Sequence, residues 1–264
     1  MKRLFFFDID GTLIECEKGI YNIQEEVWKL LDDLKKQGDD VFLATGRCKC
    51  FIPETVMEYP FSGYVTCNGG YVEYNDQPVY KAIVSYEAFK VTHEFCKNRN
   101  LAYYFENSDY ICVLNKHNPK HLEFQEKWGM KEETIIDKFD IDKVETYIGM
   151  IVANSEEDVP FIIETLSPYF DVQQHNNGLS FDLTLKGESK AKGIKELAKY
   201  LDVPIENTVA FGDGRNDVEM LSEVGLGIAM GNGAQEAKDA AKFVTKDISN
   251  HGILYAIDYF SLLR

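Results

Sequence analysis

Leu4-Phe5-Phe6-Phe7 is an unbroken apolar run that ends in Asp8-Ile9-Asp10-Gly11-Thr12. A strand with one face in water alternates apolar and polar residues. A strand that is apolar at every position is buried on both faces, as in a parallel sheet covered by helices on either side. Helical spacing follows in Ile23, Val27, Leu30, Leu31 and Leu34, with Asn22 three residues before Glu25 as an Asn-headed capping box and Gly38 as the stop. Val41 to Thr45 and Tyr64 to Cys67 read as two further buried strands. Strand, helix and strand at this spacing predict βαβ units in a doubly wound, mostly parallel α/β sheet.

The pattern then changes. Residues 71–81 read as a hairpin turning at Asn75-Asp76. From about 85 to 183 helices are expected near 86–99, 118–128 and 156–167. Strands are expected near 101–106, 110–114, 145–153, 169–174 and 179–185. Residues 131–143 fit no element. The buried α/β pattern returns with a helix from Ser189 to Leu201, a strand at 207–211 and a helix from about Asn216. A strand at 225–229, a helix near 234–240, the strand Phe243-Val244-Thr245 and a helix from about 251 complete it. The expected organisation is one α/β domain split in sequence, 1–81 plus 186–264, with an α+β domain at 82–185 inserted through a two-crossing hinge.

The 264 residues, 45% hydrophobic and 27% charged, are enough for a sizeable core without disulfides or a structural metal. The net charge of −16 disfavours nucleic acid and anionic membranes as partners. A phosphate site in such a chain must reverse the field locally, with a cation, basic side chains or aimed backbone N–H groups. Met1-Lys2-Arg3 runs directly into a short apolar stretch broken by acid, so no secretory leader is expected. No apolar stretch approaches the roughly 20 residues that span a bilayer. The six irregularly spaced cysteines suit reduced cytoplasmic thiols, and Cys48-x-Cys50 with Cys67 lacks the second pair or His ligands of a zinc site. The oligomeric state is open.

Four constellations carry chemistry. Asp8 and Asp10 lie two apart at the end of a buried strand, so their carboxylates are expected on one side, at the edge where open α/β sheets bind ligands. Two close carboxylates cannot both ionise freely. One can attack phosphorus while a protonated neighbour serves the leaving oxygen. Gly11 permits a tight turn that aims backbone N–H groups at an anion. Asp213 and Asp217, in Gly212-Asp213-Gly214-Arg215-Asn216-Asp217, follow a second apolar strand. Oxygen ligands without His or Cys suit Mg²⁺, and no Glu closes a calcium loop of the EF-hand kind. Thr45-Gly46-Arg47 offers a hydroxyl and a flexible backbone at a third strand end. Lys190, in the first turn of a helix, opposes the helix dipole, a cost that a phosphate-clamping role would explain. Cys67-Asn68-Gly69-Gly70 adds a turn. Each also has a plain reading: acids end many strands, Thr-Gly turns are common, and Lys192 and Lys195 are ordinary solvated helix lysines.

In this order the motifs resemble the haloacid dehalogenase superfamily of phosphohydrolases, and more narrowly its Cof-type members with a type IIB cap inserted into a Rossmann-like core. The resemblance covers essentially the whole chain and includes Ala229-Met230-Gly231-Asn232. It implies an aspartyl-phosphate at Asp8, with Asp10 as the acid and then the base. Asp8, the Asp10 backbone carbonyl and Asp213 would ligate Mg²⁺, with Asp217 and Asn216 in support of the metal site. Thr45 and Lys190 would hold phosphate, joined by Gly11, Gly46, Asn68 and Asn216, with Arg47 reaching the substrate. The expected substrate is a small phosphorylated metabolite such as a sugar phosphate. His175, Asn176 and Asp182, near strand ends in the inserted region, read as structural.

Two other outcomes share these residues: a phosphomutase with the same nucleophile, and a phospho-receiver switch with no enzymatic activity. The Asp8-x-Asp10 spacing and the large insertion weigh against the receiver. A dinucleotide-binding protein is disfavoured because no G-x-G-x-x-G follows the first strand.

Overall fold

The computed structural model describes residues 2–128, 130–175 and 177–263. It groups them into two compact units, one of Met1–Gly46, Ile52–Tyr80 and Ser189–Arg264, the other of Arg47–Phe51 and Lys81–Glu188.

In the first unit the chain runs through β1 (Leu4–Phe7), α1 (Glu25–Lys36), β2 (Asp40–Ala44), α2 (Glu54–Met57), β3 (Gly63–Thr66), β4 (Tyr71–Tyr74) and β5 (Gln77–Lys81). The second unit follows with α3 (Tyr86–Arg99), β6 (Ala102–Glu106), β7 (Ile111–Val113), α4 (Pro119–Trp128), β8 (Ile135–Ile136), β9 (Ile148–Val152), α5 (Val159–Leu166), β10 (Phe170–Gln174) and β11 (Ser180–Leu185). The return to the first unit brings α6 (Lys190–Tyr200), β12 (Thr208–Gly212), α7 (Val218–Glu223), β13 (Leu226–Ala229), α8 (Gln235–Ala240), β14 (Phe243–Val244) and α9 (Gly252–Tyr259).

The first unit's sheet has the order β14-β13-β12-β1-β2-β3-β4-β5. It is parallel from β14 to β3, and β4 is antiparallel to β3. The double-sided burial expected of β1 is present. Phe5, Phe7 and Ile9 pack with α1 and α9 on one face, while Leu4 and Phe6 pack with α6, α7 and α8 on the other. Phe6 stacks on Phe42 and Phe7 on Phe211, at 5.1 and 5.0 Å between ring centres. Asn75 and Asp76 turn the β4–β5 hairpin with φ of 48° and 59°, the backbone of a primed two-residue turn.

One local expectation needs correction. Asn22 does not head a capping box: the N-cap of α1 is Gln24, with no side-chain cap bond. Glu25 and Glu26 in the first turn complement the dipole instead. Gly38 ends the helix with φ of 95°, as expected.

The second unit's sheet has the order β10-β11-β9-β6-β7-β8. It is antiparallel except for β7 with β8. Tyr103, Phe105, Ile151, Phe181 and Leu183 face α3 and α5 in one apolar cluster. By strand alternation Tyr104, Glu106, Met150 and Asp182 share the opposite face. The unplaced segment 131–143 supplies β8 and two residues, Phe139 and Ile141, that pack on that cluster. His175 bridges Ser180 Oγ at 2.9 Å and Asp182 Oδ1 at 3.0 Å, a tie within the β10–β11 hairpin. Asn176 falls outside the described residues. All six cysteines are free thiols. Among the described residues no helix is long and apolar enough to cross a membrane.

Candidate active site

Strands β12, β1, β2 and β3 lie side by side in the sheet. The parallel register pairs Phe7 with Phe211 and Leu43, so the segments that follow β12, β1 and β2 leave the sheet at one edge. That edge is where Asp213, Asp8 and Thr45 stand, and it is the ligand-binding edge of open α/β sheets.

Asp8 follows directly on β1, and its N–H extends the ladder to the Phe211 carbonyl at 3.0 Å. Its side chain is buried, whereas Asp10 is exposed. The strand ends at Phe7, and Asp10 lies close enough to Asp8 to raise its carboxyl; Gly11, at φ of 84°, then turns the chain between the two acids and Thr12. A Cβ at Gly11 would lie 2.1 Å from Asp213 Oδ2, so the turn touches the second acidic loop and admits no side chain. Thr12 then donates its hydroxyl to Asp213 Oδ1 at 3.1 Å. Sequence reasoning assigned Thr12 no role of its own; its place one residue after Gly11 was the available signal.

Lys190 is fully buried. Its ammonium donates to Asp8 Oδ1 at 2.6 Å and to Asp217 Oδ1 at 2.7 Å. Ser189 caps α6 by accepting from Lys192 N at 3.3 Å, which starts the helix at Lys190. The helix descends this far because Gly193 lies against the strand ends. A Cβ there would meet Val65 Cγ1 at 2.6 Å and Gly69 Cα at 2.9 Å. A glycine that lowers helix propensity therefore permits the close approach that seats Lys190.

Asp217 uses both oxygens: Oδ1 on Lys190, and Oδ2 on the N–H groups of Asp213 and Gly214 at 2.9 and 2.8 Å. The four-residue spacing of the two acids thus folds their loop back on itself. Asp8, Asp213 and Asp217 each offer an oxygen within 4.8 Å of the others.

Burial raises the Asp8 carboxyl well above its usual range; Lys190 opposes this, and Asp217, Asp213 and Asp10 add to it. Burial and then Asp217 push Asp213 up to about 7, against the Thr12 hydroxyl and Lys190. Burial works to lower the Lys190 ammonium, but Asp217 and Asp8 outweigh it and hold it above the ordinary lysine value. Two buried acids, Asp8 and Asp217, therefore share one ammonium beside the half-buried Asp213, so among the described residues the cluster is short of positive charge. An all-oxygen donor set with this deficit fits a hard divalent cation such as Mg²⁺.

A second group lies at the ends of β2 and β3. Thr45 is buried; its N–H donates to Val65 O at 2.8 Å and its carbonyl accepts from Asn68 N at 3.2 Å. Asn216 Nδ2 donates to Asn68 Oδ1 at 3.3 Å, and Gly46 lies against Asn68. Arg47 is grouped with the second unit. Its guanidinium stacks on the Phe51 ring at 4.8 Å and donates to the Phe51 carbonyl at 3.2 Å.

The sequence matches the family of haloacid dehalogenase-like hydrolases over residues 5–257. YkrA of Bacillus subtilis (strain 168) is 32% identical over 262 residues, 99% of each chain. The 5-amino-6-(5-phospho-D-ribitylamino)uracil phosphatase YbjI of Escherichia coli is 29% identical over 267 residues, spanning 97% of this chain and 95% of that one. The solved structure of the HAD subclass IIB sugar phosphatase BT4131 superposes with a TM-score of 0.84 at 28% identity, covering 98% of this chain and 99% of that one. The chain accordingly belongs to the haloacid dehalogenase-like hydrolases, as a phosphoric monoester hydrolase of that family.

Proposed function

We propose that the protein hydrolyses a small phosphate ester, a sugar phosphate or a related phosphorylated metabolite, in a Mg²⁺-dependent reaction through an aspartyl-phosphate at Asp8. The observation that carries this reading is the buried Asp8 carboxylate. It is held at 2.6 Å by a lysine with no solvent exposure and flanked by two further buried or half-buried acids.

Lys190 fixes Oδ1, so Oδ2 attacks phosphorus. The bond from phosphorus to the leaving oxygen breaks, and Asp10, on the solvent side of the turn, gives that oxygen a proton. Asp10 then takes a proton from the water that attacks the aspartyl-phosphate, which releases inorganic phosphate and restores Asp8. Thr45, Lys190, Asn68 and the backbone of Gly11 and Gly46 hold the phosphate oxygens, with Asn216 supporting Asn68. Arg47 is the substrate-binding candidate on the second unit, and residues 82–185 are the substrate-selecting cap. Asp8, Asp213 and the Asp10 backbone carbonyl would hold Mg²⁺, while Asp217 keeps the Asp213 loop in place. When bound, Mg²⁺ supplies the charge that offsets the repulsion between Asp8 and phosphate. The substrate class is supported by the names of YbjI and BT4131, both phosphatases of small phosphorylated compounds.

The test is inorganic phosphate release from sugar phosphates, sugar-alcohol phosphates, nucleotides and pyridoxal phosphate, with Mg²⁺ or EDTA. Release is expected to require Mg²⁺ and to fall at least about a thousandfold in Asp8→Asn. Release that persists in Asp8→Asn sinks the mechanism. An isomerised sugar phosphate without free phosphate makes the protein a mutase.

A further inference from the structure

Ala229-Met230-Gly231-Asn232 stands out in the sequence, yet nothing in the reaction above uses it. Its place is the loop between β13 and α8. Asn232 Nδ2 donates to the Gly11 carbonyl at 2.7 Å, and Asn232 Oδ1 accepts from Ile248 N at 2.9 Å. One side-chain amide therefore joins the turn after Asp8 to the segment after β14. Two residues on, Ala234 N donates to the Asp213 carbonyl at 2.8 Å. Between them Gly233 packs so closely that a Cβ would lie 2.9 Å from both Asp213 Cα and Asp213 O.

One five-residue loop thus grips both acidic turns. The Gly11 carbonyl belongs to the peptide that carries Thr12, and Thr12 is the group that reaches Asp213 Oδ1. Fixing that carbonyl fixes the Thr12 hydroxyl. Fixing the Asp213 carbonyl fixes the carboxylate it meets. The two turns lie about 200 residues apart in sequence; beyond the pairing of β1 with β12 and the Lys190 bridge, these contacts tie them together. Catalytic groups tolerate little misplacement, and a fraction of an ångström at a supporting residue costs rate.

We propose that Asn232 is a positioning residue, which sets the distance between the Asp8 turn and the Asp213 loop by holding the Gly11–Thr12 peptide. The inference rests on the reading of Asp8 and Asp213 as the reacting and metal-holding acids. Its geometric part does not depend on which ester is cleaved.

Asn232→Asp and Asn232→Ala separate the two hydrogen bonds. The aspartate keeps an acceptor for Ile248 N but cannot, when ionised, donate to the Gly11 carbonyl. The alanine loses both. Three measurements are made on the full chain: amide hydrogen exchange of peptides spanning 8–14 and 213–217, Mg²⁺ affinity by calorimetry, and kcat and KM for phosphate release. Both variants are expected to exchange about tenfold faster in 8–14, the scale of one lost hydrogen bond, with the exchange of β1 and β12 unchanged. kcat is expected to fall about tenfold to a hundredfold, with KM within twofold of wild type, and Mg²⁺ to bind several-fold more weakly. Asn232→Asp with wild-type exchange in 8–14 and wild-type kcat overturns the proposal and leaves Asn232 as a tie for the 248 segment alone. If the unaltered protein releases no phosphate, the phosphatase mechanism fails, while the exchange comparison still decides the role of Asn232. A variant with unchanged exchange in 8–14 but a fallen melting temperature also overturns it.

Discussion

The two units both bury carboxylates, and they resolve the cost differently. In the first, Asp8, Asp213 and Asp217 gather round a single enclosed ammonium and two backbone N–H groups. In the second, Glu106 is 7% exposed at the end of β6, and Cys48 N donates to its Oε2 at 3.3 Å. Burial there pushes Glu106 up to about 7. The Cys48 side chain and backbone and Arg47 pull it down, and Asp182 pushes it up. A buried acid either recruits a cation or keeps its proton. The first unit has recruited Lys190 and remains short of positive charge, which suits a site that accepts a metal. The second leaves Glu106 poised between its two protonation states near neutral pH.

Breaking the first arrangement has the largest expected effect. Lys190→Met strips the ammonium from two buried carboxylates, and urea unfolding is expected to show a loss of about 3–5 kcal/mol, together with loss of activity. A loss below about 1 kcal/mol means that the acids relax into water or take up protons, and the contrast between the units disappears.

Glu106→Gln tests the second arrangement. The folded value near 7 lies above the ordinary 4.5, so the folded state holds a proton that the unfolded chain has released between those two pH values. Stability from this group is complete below about 4.5 and is lost as pH rises through 7, by roughly 3 kcal/mol in all. Unfolding measured from pH 4.5 to 8 is expected to show that slope in the unaltered protein, and the difference from Glu106→Gln isolates it. Equal slopes in the two proteins remove the assignment.

Gly193→Ala asks whether the first unit's arrangement depends on the close approach of α6. Alanine is the better helix former by about 1 kcal/mol, yet its Cβ would stand 2.6 Å from Val65 Cγ1. A net loss of about 1–3 kcal/mol is expected, with a fall in kcat as Lys190 shifts. A gain in stability shows that the helix can withdraw without cost. The smallest effect is expected at Lys195, whose 2.6 Å pair with Glu223 is half exposed. Lys195→Ala is expected to change stability by less than about 1 kcal/mol, which marks the enclosure of Lys190 as the property that matters.

Much of the first unit was legible because its signals are local. A run such as Leu4 to Phe7 admits few structures other than a strand covered on both faces. The Asp, Thr and Lys motifs each sit where a strand or helix begins or ends. Asn22 misled because a plausible cap two residues before the true N-cap looks the same in one dimension. The second unit was legible as elements but not as chemistry. Glu106 follows Tyr103, Tyr104 and Phe105 like any polar residue at a strand end, and only the pairing of β6 with β9 and the loop at Cys48 bury it.

Short-range physics, expressed in apolar period and in Gly, Asp and Asn at turns, determined the strands, most helices and the set of reactive side chains. Tertiary structure decided which of those side chains act together. It buried Asp8 and left Asp10 exposed, two residues away. It carried Lys190 to Asp8 across 182 positions, brought Thr12 to Asp213 across 201, and let Asn232 grip Gly11 across 221. The physical reason is that a charge's state depends on its desolvation and on neighbours within a few ångströms, and those neighbours come from strands adjacent in the sheet and distant in the chain.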